Sequence, residues 1–261
     1  MRQLWSDDRR FQIWLEIETL ACEAMAELGQ IPPEDAAEIR KKARFSIPEI
    51  AEIEKRTNHD VIAFLENVAA SVGPAARWMH QGLTSSDILD TTLAVQLTEA
   101  CGILAEDLAA LRKAVAAQAR RYKMTPMIGR SHGIHAEPIT FGLKLALMFD
   151  EFGRAEERLA QTKERVRVGK LSGAVGTHAH LDPAIEQRLA KACDRRGDHG
   201  LRQVDRHSKH RSPAGGIRHP RHRDNRRGRS ASDPLRLGPA LERDAAGRAC
   251  QIVHRQVARL R

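Results

Sequence analysis

Four short stretches of this 261-residue chain concentrate residues that can move protons or hold anions. The first is Thr57-Asn58-His59-Asp60. A histidine just before a helix start sits beside free backbone N–H donors and the positive end of the helix dipole, which suits a phosphate or carboxylate. The plain alternative is a histidine that merely begins a surface helix. The second is His80-Gln81-Gly82-Leu83-Thr84-Ser85-Ser86-Asp87. Glycine breaks the preceding element, and any of Thr84, Ser85 or Ser86 can cap the helix that follows. Capping needs only one hydroxyl, so the surplus also fits an anion cradle.

The third stretch is Gly129-Arg130-Ser131-His132-Gly133-Ile134-His135-Ala136-Glu137-Pro138. It crowds two histidines, an arginine and a glutamate into a turn between two long helical segments. A neutral imidazole there is a ready general acid or base. His132 and His135 have a spacing that a metal could use, but no third ligand lies nearby, so no metal is expected. The fourth is Gly169-Lys170-Leu171-Ser172-Gly173-Ala174-Val175-Gly176-Thr177. It lacks the order of a phosphate-binding P-loop and reads by itself rather as a tight connection between helices.

The elements that must position these groups read as helices. Residues 11–28 repeat apolar side chains at three and four, and Gly29 stops the run. Pro32-Pro33 opens a further segment, and Ile47-Pro48 begins a short helix to Lys55. Asp60 is the expected N-cap of a helix over 61–72, closed by Gly73-Pro74. A long helix is expected over 86–122, with Leu89, Leu93, Leu97, Ala100, Leu104, Leu108, Leu111 and Val115 on its core stripe. Another starts near Pro138, with Phe141, Leu145, Met148, Phe152, Ala155, Leu159 and Val166 in a heptad seam. No strand pattern of similar strength is evident. The expected fold is therefore all-α. It comprises a small helical domain over 1–83 and the first long helices of a bundle over 84–193.

Charge divides the chain. The net charge is +9, yet residues 194–261 hold 17 Arg and 1 Lys against 6 Asp and 1 Glu, or +11, which leaves −2 for the rest. The same 68 residues contain no Phe, Trp, Tyr or Met. Three readings stand for this tail: an arginine-rich nucleic-acid arm, a low-order tail, or a segment translated out of frame. The lack of aromatic residues for base stacking argues against nucleic acid. Four dispersed cysteines, Cys22, Cys101, Cys193 and Cys250, fit a reducing compartment, and no apolar run suggests a membrane span.

Together, the four stretches, in their order and spacing, resemble the adenylosuccinate lyases of the fumarase/aspartase superfamily. The resemblance rests on Thr57 through Phe64, Gly82 through Thr91, Gly129 through Pro138 followed by Thr140-Phe141-Gly142, and Gly169 through Thr177. It covers roughly residues 1–193. It implies a cytoplasmic homotetramer of long helices with sites shared between subunits. The substrate would be a small purine nucleotide, adenylosuccinate or its carboxamide ribotide counterpart, cleaved to release fumarate without metal or organic cofactor. By the match, His132 is the general acid. Asn58, His59 and Asp60 line the substrate site, and Thr84 and Ser85 hold an anionic part of the substrate. His80, Ser86, Asp87 and Ser131 support them.

Two family features find no match in this sequence. One is a short Arg-Tyr segment expected at the opening. The other is the Ser-Ser-Ala-Met-Pro run that carries the general base; Arg211-Ser212-Pro213 and Arg229-Ser230-Ala231-Ser232 do not fit it. The chain by itself is accordingly expected to be weakly active or inactive. Two functions compete with that of a lyase: a helical nucleic-acid binder using the basic tail, and a pseudo-subunit of an intact lyase. Sequencing the DNA around codons 190–261 and translating all three frames separates the readings of the tail. The out-of-frame reading predicts that another frame continues the bundle helices and the Ser-loop run. A genuine tail predicts that no frame does.

Overall fold

The computed structural model of the chain describes residues 1–195 and 202–203. The expectations for the rest of the tail lie outside the described residues. Seven α-helices dominate: α1 (Asp7–Glu27), α2 (Pro33–Lys42), α3 (Ile47–Thr57), α4 (Asp60–Val72), α5 (Ser85–Arg121), α6 (Phe141–Val166) and α7 (Pro183–Arg195). Two compact units form. Among the described residues, one joins Met1–Leu108 to those from Glu156 to Gln203, and the other contains Ala109–Ala155.

The core of the first unit is built on α1. Ser6 caps that helix by accepting from Arg9 N–H, and Asp7 and Asp8 occupy its first turn, where carboxylates complement the dipole. Its apolar stripe carries Phe11, Trp14 and Ile17 inward. Phe11 stacks on Phe64 of α4 at 5.7 Å, and Trp14 meets the same ring edge-on at 5.4 Å. Offset and edge-to-face aromatic contacts of this kind add about 0.5–1.5 kcal/mol each beyond area burial. Ile88 and Val95 of α5 and Ile185 and Leu189 of α7 complete the same core.

The second unit has its own small core, where Ala116 and Ala119 of α5 meet Ala146 of α6. Between these helices run β1 (Pro126–Ser131) and β2 (Ile134–Thr140), an antiparallel hairpin. A pair of two-residue strands, β3 (Val168–Gly169) and β4 (Arg202–Gln203), lies parallel in the first unit.

The structure corrects four expectations. The hairpin replaces the turn expected between two helices, because Pro138 lies in β2 and α6 starts only at Phe141. The N-cap of α4 is His59 rather than Asp60, since the His59 ring accepts from Ile62 N–H. Helix α7 was not expected; it buries Ile185 and Leu189 behind an N-terminal proline. The leucine stripe assigned to the core of α5 largely faces out. Leu93, Leu104 and Leu111 are exposed, whereas Thr91, Thr92, Ala94, Val95 and Thr98 are buried. Helix α5 is long and apolar enough to cross a membrane by length and composition, but 56% of its most apolar window is buried inside the protein.

One carboxylate fastens the loops of the first unit to this scaffold. Asp87, in the first turn of α5, has no exposed surface. Its Oδ2 accepts from Thr84 N–H at 3.1 Å, the return half of a capping box. The same carboxylate accepts from Ser172 N–H at 3.1 Å and from Gly173 N–H at 2.9 Å, 85 residues away and beyond. Lys170 Nζ lies 3.4 Å from it. One turn on, Thr91 Oγ1 donates to Lys170 C=O at 2.8 Å and accepts its N–H at 3.0 Å. Replacing Asp87 with Ala leaves these N–H donors without their acceptor and the ammonium with only the more distant Asp90, at 3.7 Å. Urea titration is expected to show a loss of about 3–5 kcal/mol in unfolding free energy.

Cys22, on the buried face of α1, donates to Trp78 C=O at 3.7 Å. Burial, then the nearby Glu18 and Glu23 charges, push its thiol up from 9.0 to about 12. The folded state therefore holds this proton more tightly than the unfolded state. Its contribution is fully present below about pH 9 and is lost as pH rises toward 12. The stability difference between the native chain and Cys22→Ala should shrink over that window in paired denaturation curves.

Candidate functional site

Two helix N-termini meet in the first unit. At α4, His59 is the cap: its Nδ1 accepts from Ile62 N–H at 3.4 Å. That bond needs a lone pair on Nδ1, so the neutral ring carries its proton on Nε2. Nε2 faces Ser85 Oγ at 3.4 Å, at the start of α5. Asp60 Oδ1 accepts from Val61 N–H at 2.7 Å and lies 3.5 Å from His59 Nδ1. Asn58 precedes them in the left-handed region, φ 49°, where it ends α3 by donating its N–H to Glu54 C=O. Thr57, His59, Asp60, Thr84 and Ser85 are all half-buried, open to solvent on one side.

The sequence thus brings the first two stretches together, and the fourth joins them. Gly82 has φ +74°, and a Cβ there would come within 2.4 Å of His180 C=O. Gly173 approaches the Gly82 carbonyl less tightly, at 3.3 Å from its own missing Cβ. These glycines let backbone lie against backbone behind Thr84. Asp87, expected as a support, is the anchor of that contact. Ser86 is exposed on the first turn of α5.

His80 also takes a left-handed conformation, φ 62°. It is held by Glu18, which sequence reasoning missed. Glu18 Oε2 accepts from His80 N–H at 2.8 Å, and Oε1 lies 2.6 Å from the ring Nδ1. Glu18 looks like an ordinary helix residue in Leu15-Glu16-Ile17-Glu18. The available signal was its spacing, four residues from both Trp14 and Cys22, which places a carboxylate on the buried face.

Ser131 and His132 belong to the second unit. Ser131 pairs with Ile134, which leaves His132 and Gly133 as a two-residue hairpin loop. Both have positive φ, 53° and 77°, the signature of a type I′ turn. Gly129 sits where the register shifts, and its missing Cβ would lie 2.5 Å from Glu137 C=O. His132 is exposed at the tip, so the hairpin offers its imidazole to a ligand with a fixed backbone. No group of three or more potential metal ligands occurs among the described residues.

Comparison with known proteins gives this geometry a context. A family model described as Lyase matches residues 1–207. The adenylosuccinate lyase of Bacillus subtilis (strain 168) is 50% identical over 197 residues, covering 76% of this chain and 45% of the relative. That of Synechocystis sp. is 48% identical over 216 residues, covering 80% and 49%. The chain spans about half the length of these curated relatives. Among solved structures, a fumarate lyase from Mesorhizobium sp. BNC1 aligns with TM-score 0.69 at 32% identity, covering 74% of this chain and 47% of the other. A β-carboxy-cis,cis-muconate cycloisomerase from Acinetobacter calcoaceticus aligns with TM-score 0.71 at 30% identity, covering 78% and 50%. A helical scaffold of the same kind, a family match across most of its length, and adenylosuccinate lyase relatives near 50% identity together make this chain a member of the lyase family.

Proposed function

We propose that this chain carries the acid and anion-binding part of an adenylosuccinate lyase. The reaction is a β-elimination. A proton leaves the carbon beside a carboxylate, the C–N bond breaks, fumarate departs, and the released nitrogen of AMP gains a proton. The same chemistry would cleave the succinylated aminoimidazole carboxamide ribotide. His132, at the hairpin tip, supplies the proton to the departing nitrogen. Thr84 and Ser85 hold an anionic group of the substrate at the start of α5, and Asn58, His59 and Asp60 line its other side. No metal or organic cofactor takes part. The observation that carries the reading is the convergence of two helix N-termini, with His59 Nε2 3.4 Å from Ser85 Oγ. Helix ends and preorganised donors favour developing carboxylate charge there.

The Ser-Ser-Ala-Met-Pro run is not found in these 261 residues. We assign the general base to another, intact subunit, so the chain alone turns over weakly or not at all. Assembly with further copies, as a tetramer in the cytoplasm, belongs to the same reading. It would give the exposed Leu89, Leu93 and Leu104 of α5 a surface to cover.

Ligand protection tests the proposal. A nucleotide that binds the folded chain stabilises it by about 2.7 kcal/mol at a concentration a hundredfold above Kd. Adenylosuccinate or AMP should raise the melting temperature by several degrees, and Ser85→Ala should reduce the rise. Protection by neither nucleotide rejects the reading. Ordinary fumarate release by the purified chain rejects the assignment of the base outside it.

A further inference from the structure

We infer that Glu18 is a positioning residue that fixes the tautomer and direction of His80. Glu18 is wholly buried and comes from α1, 62 residues before the histidine it holds. Each of its oxygens takes one His80 nitrogen: the backbone N–H at 2.8 Å, and the ring Nδ1 at 2.6 Å. A carboxylate only accepts, so Nδ1 carries the proton. The neutral ring then keeps its lone pair on Nε2, which is the ring nitrogen left to hydrogen-bond a ligand. His80 is held in the opposite tautomer to His59, whose Nδ1 is an acceptor.

The geometry also explains a costly backbone. A non-glycine residue in the left-handed region is strained by its Cβ. At His80, φ 62°, the bond from the backbone N–H to Glu18 offsets that strain. The side chain of His80 is 21% exposed, so its outer edge reaches solvent while its inner edge is tied to the core. Cys22 fixes the same segment one turn along α1 by donating to Trp78 C=O. The carboxylate therefore aims an imidazole rather than filling space. A ligand-facing role for His80 rests on the lyase reading; its tautomer does not.

The test uses nitrogen and carbon chemical shifts of the imidazole rings in the isotope-labelled full chain, with His80→Gln to assign the signals. The native chain should show His80 as the Nδ1–H tautomer. In Glu18→Gln, one carbonyl oxygen cannot accept from both donors, and the amide N–H₂ has to face one of them. The Nδ1–H tautomer should then be lost as the dominant form while melting shows the chain still folded. An Nε2–H tautomer in the native chain overturns the inference without any variant. An unchanged tautomer in folded Glu18→Gln overturns it as well. Adenylosuccinate protection measured on the same native sample judges the lyase reading separately, because the tautomer is read in the absence of nucleotide.

Discussion

The buried carboxylate of Asp87 is the constraint on which the first unit's loops depend. An ionised carboxylate removed from water is costly unless donors surround it, and here three backbone N–H groups and an ammonium do so. Two of those donors come from Ser172 and Gly173, so meeting the needs of one side chain brings the glycine-rich loop against the start of α5. The consequences propagate through sterics. Gly82 must lie flat against His180, and the clamp between Thr91 and Lys170 fixes where the loop leaves α6. What remains at the open end of α5 is Thr84 and Ser85, with α4's cap, His59, facing them.

Histidine conformation follows the same logic of local electrostatics. Among the described residues the non-glycine positions of positive φ are Asn58, His80, His132 and His178. Three of these lie in the stretches that chemistry alone singles out. Asparagine and histidine tolerate this region better than most residues, but they still need neighbours to hold them there. Asn58 is held by a helix C-terminus, His80 by Glu18, and His132 by a hairpin turn that requires positive φ at both central positions. The backbone cost is met by different means at each place, yet the outcome is common: a polar residue whose backbone is set before any ligand arrives.

Helical periodicity made α1, α4, α5 and α6 legible, because a period of three to four leaves a mark on every turn. It did not say which face would be covered. In α5 the leucines form the clearest stripe, but the buried positions are Thr91, Thr92, Ala94, Val95 and Thr98. Periodicity identifies a stripe; a packing partner decides its burial. The hairpin was illegible for a related reason. Five of the six residues of β1 alternate between exposed and half-buried with none fully covered, so no apolar alternation marks the strand. Its determinants are backbone ones, a His-Gly turn and a register shift at Gly129, which a pattern of hydrophobicity does not record. The candidate site was legible as residue types in clusters. Its wiring was not, since Asp87 to Ser172 and Glu18 to His80 join positions 85 and 62 residues apart.

The two sets of chemical groups are preorganised by different kinds of contact, and that difference bears on how the fold can be divided. The anion-facing groups are fixed by side chains within the first unit: Asp87, Glu18 and the caps of α4 and α5. His132 is fixed by the hairpin's own backbone. Each arrangement closes within its own unit. The leucines of α5 are the contrasting case. They carry a pattern strong enough to read from sequence, yet Leu89, Leu93 and Leu104 stay exposed in the first unit. The chemical groups are positioned by polar wiring inside each unit, while Leu89, Leu93 and Leu104 leave an apolar surface of α5 exposed.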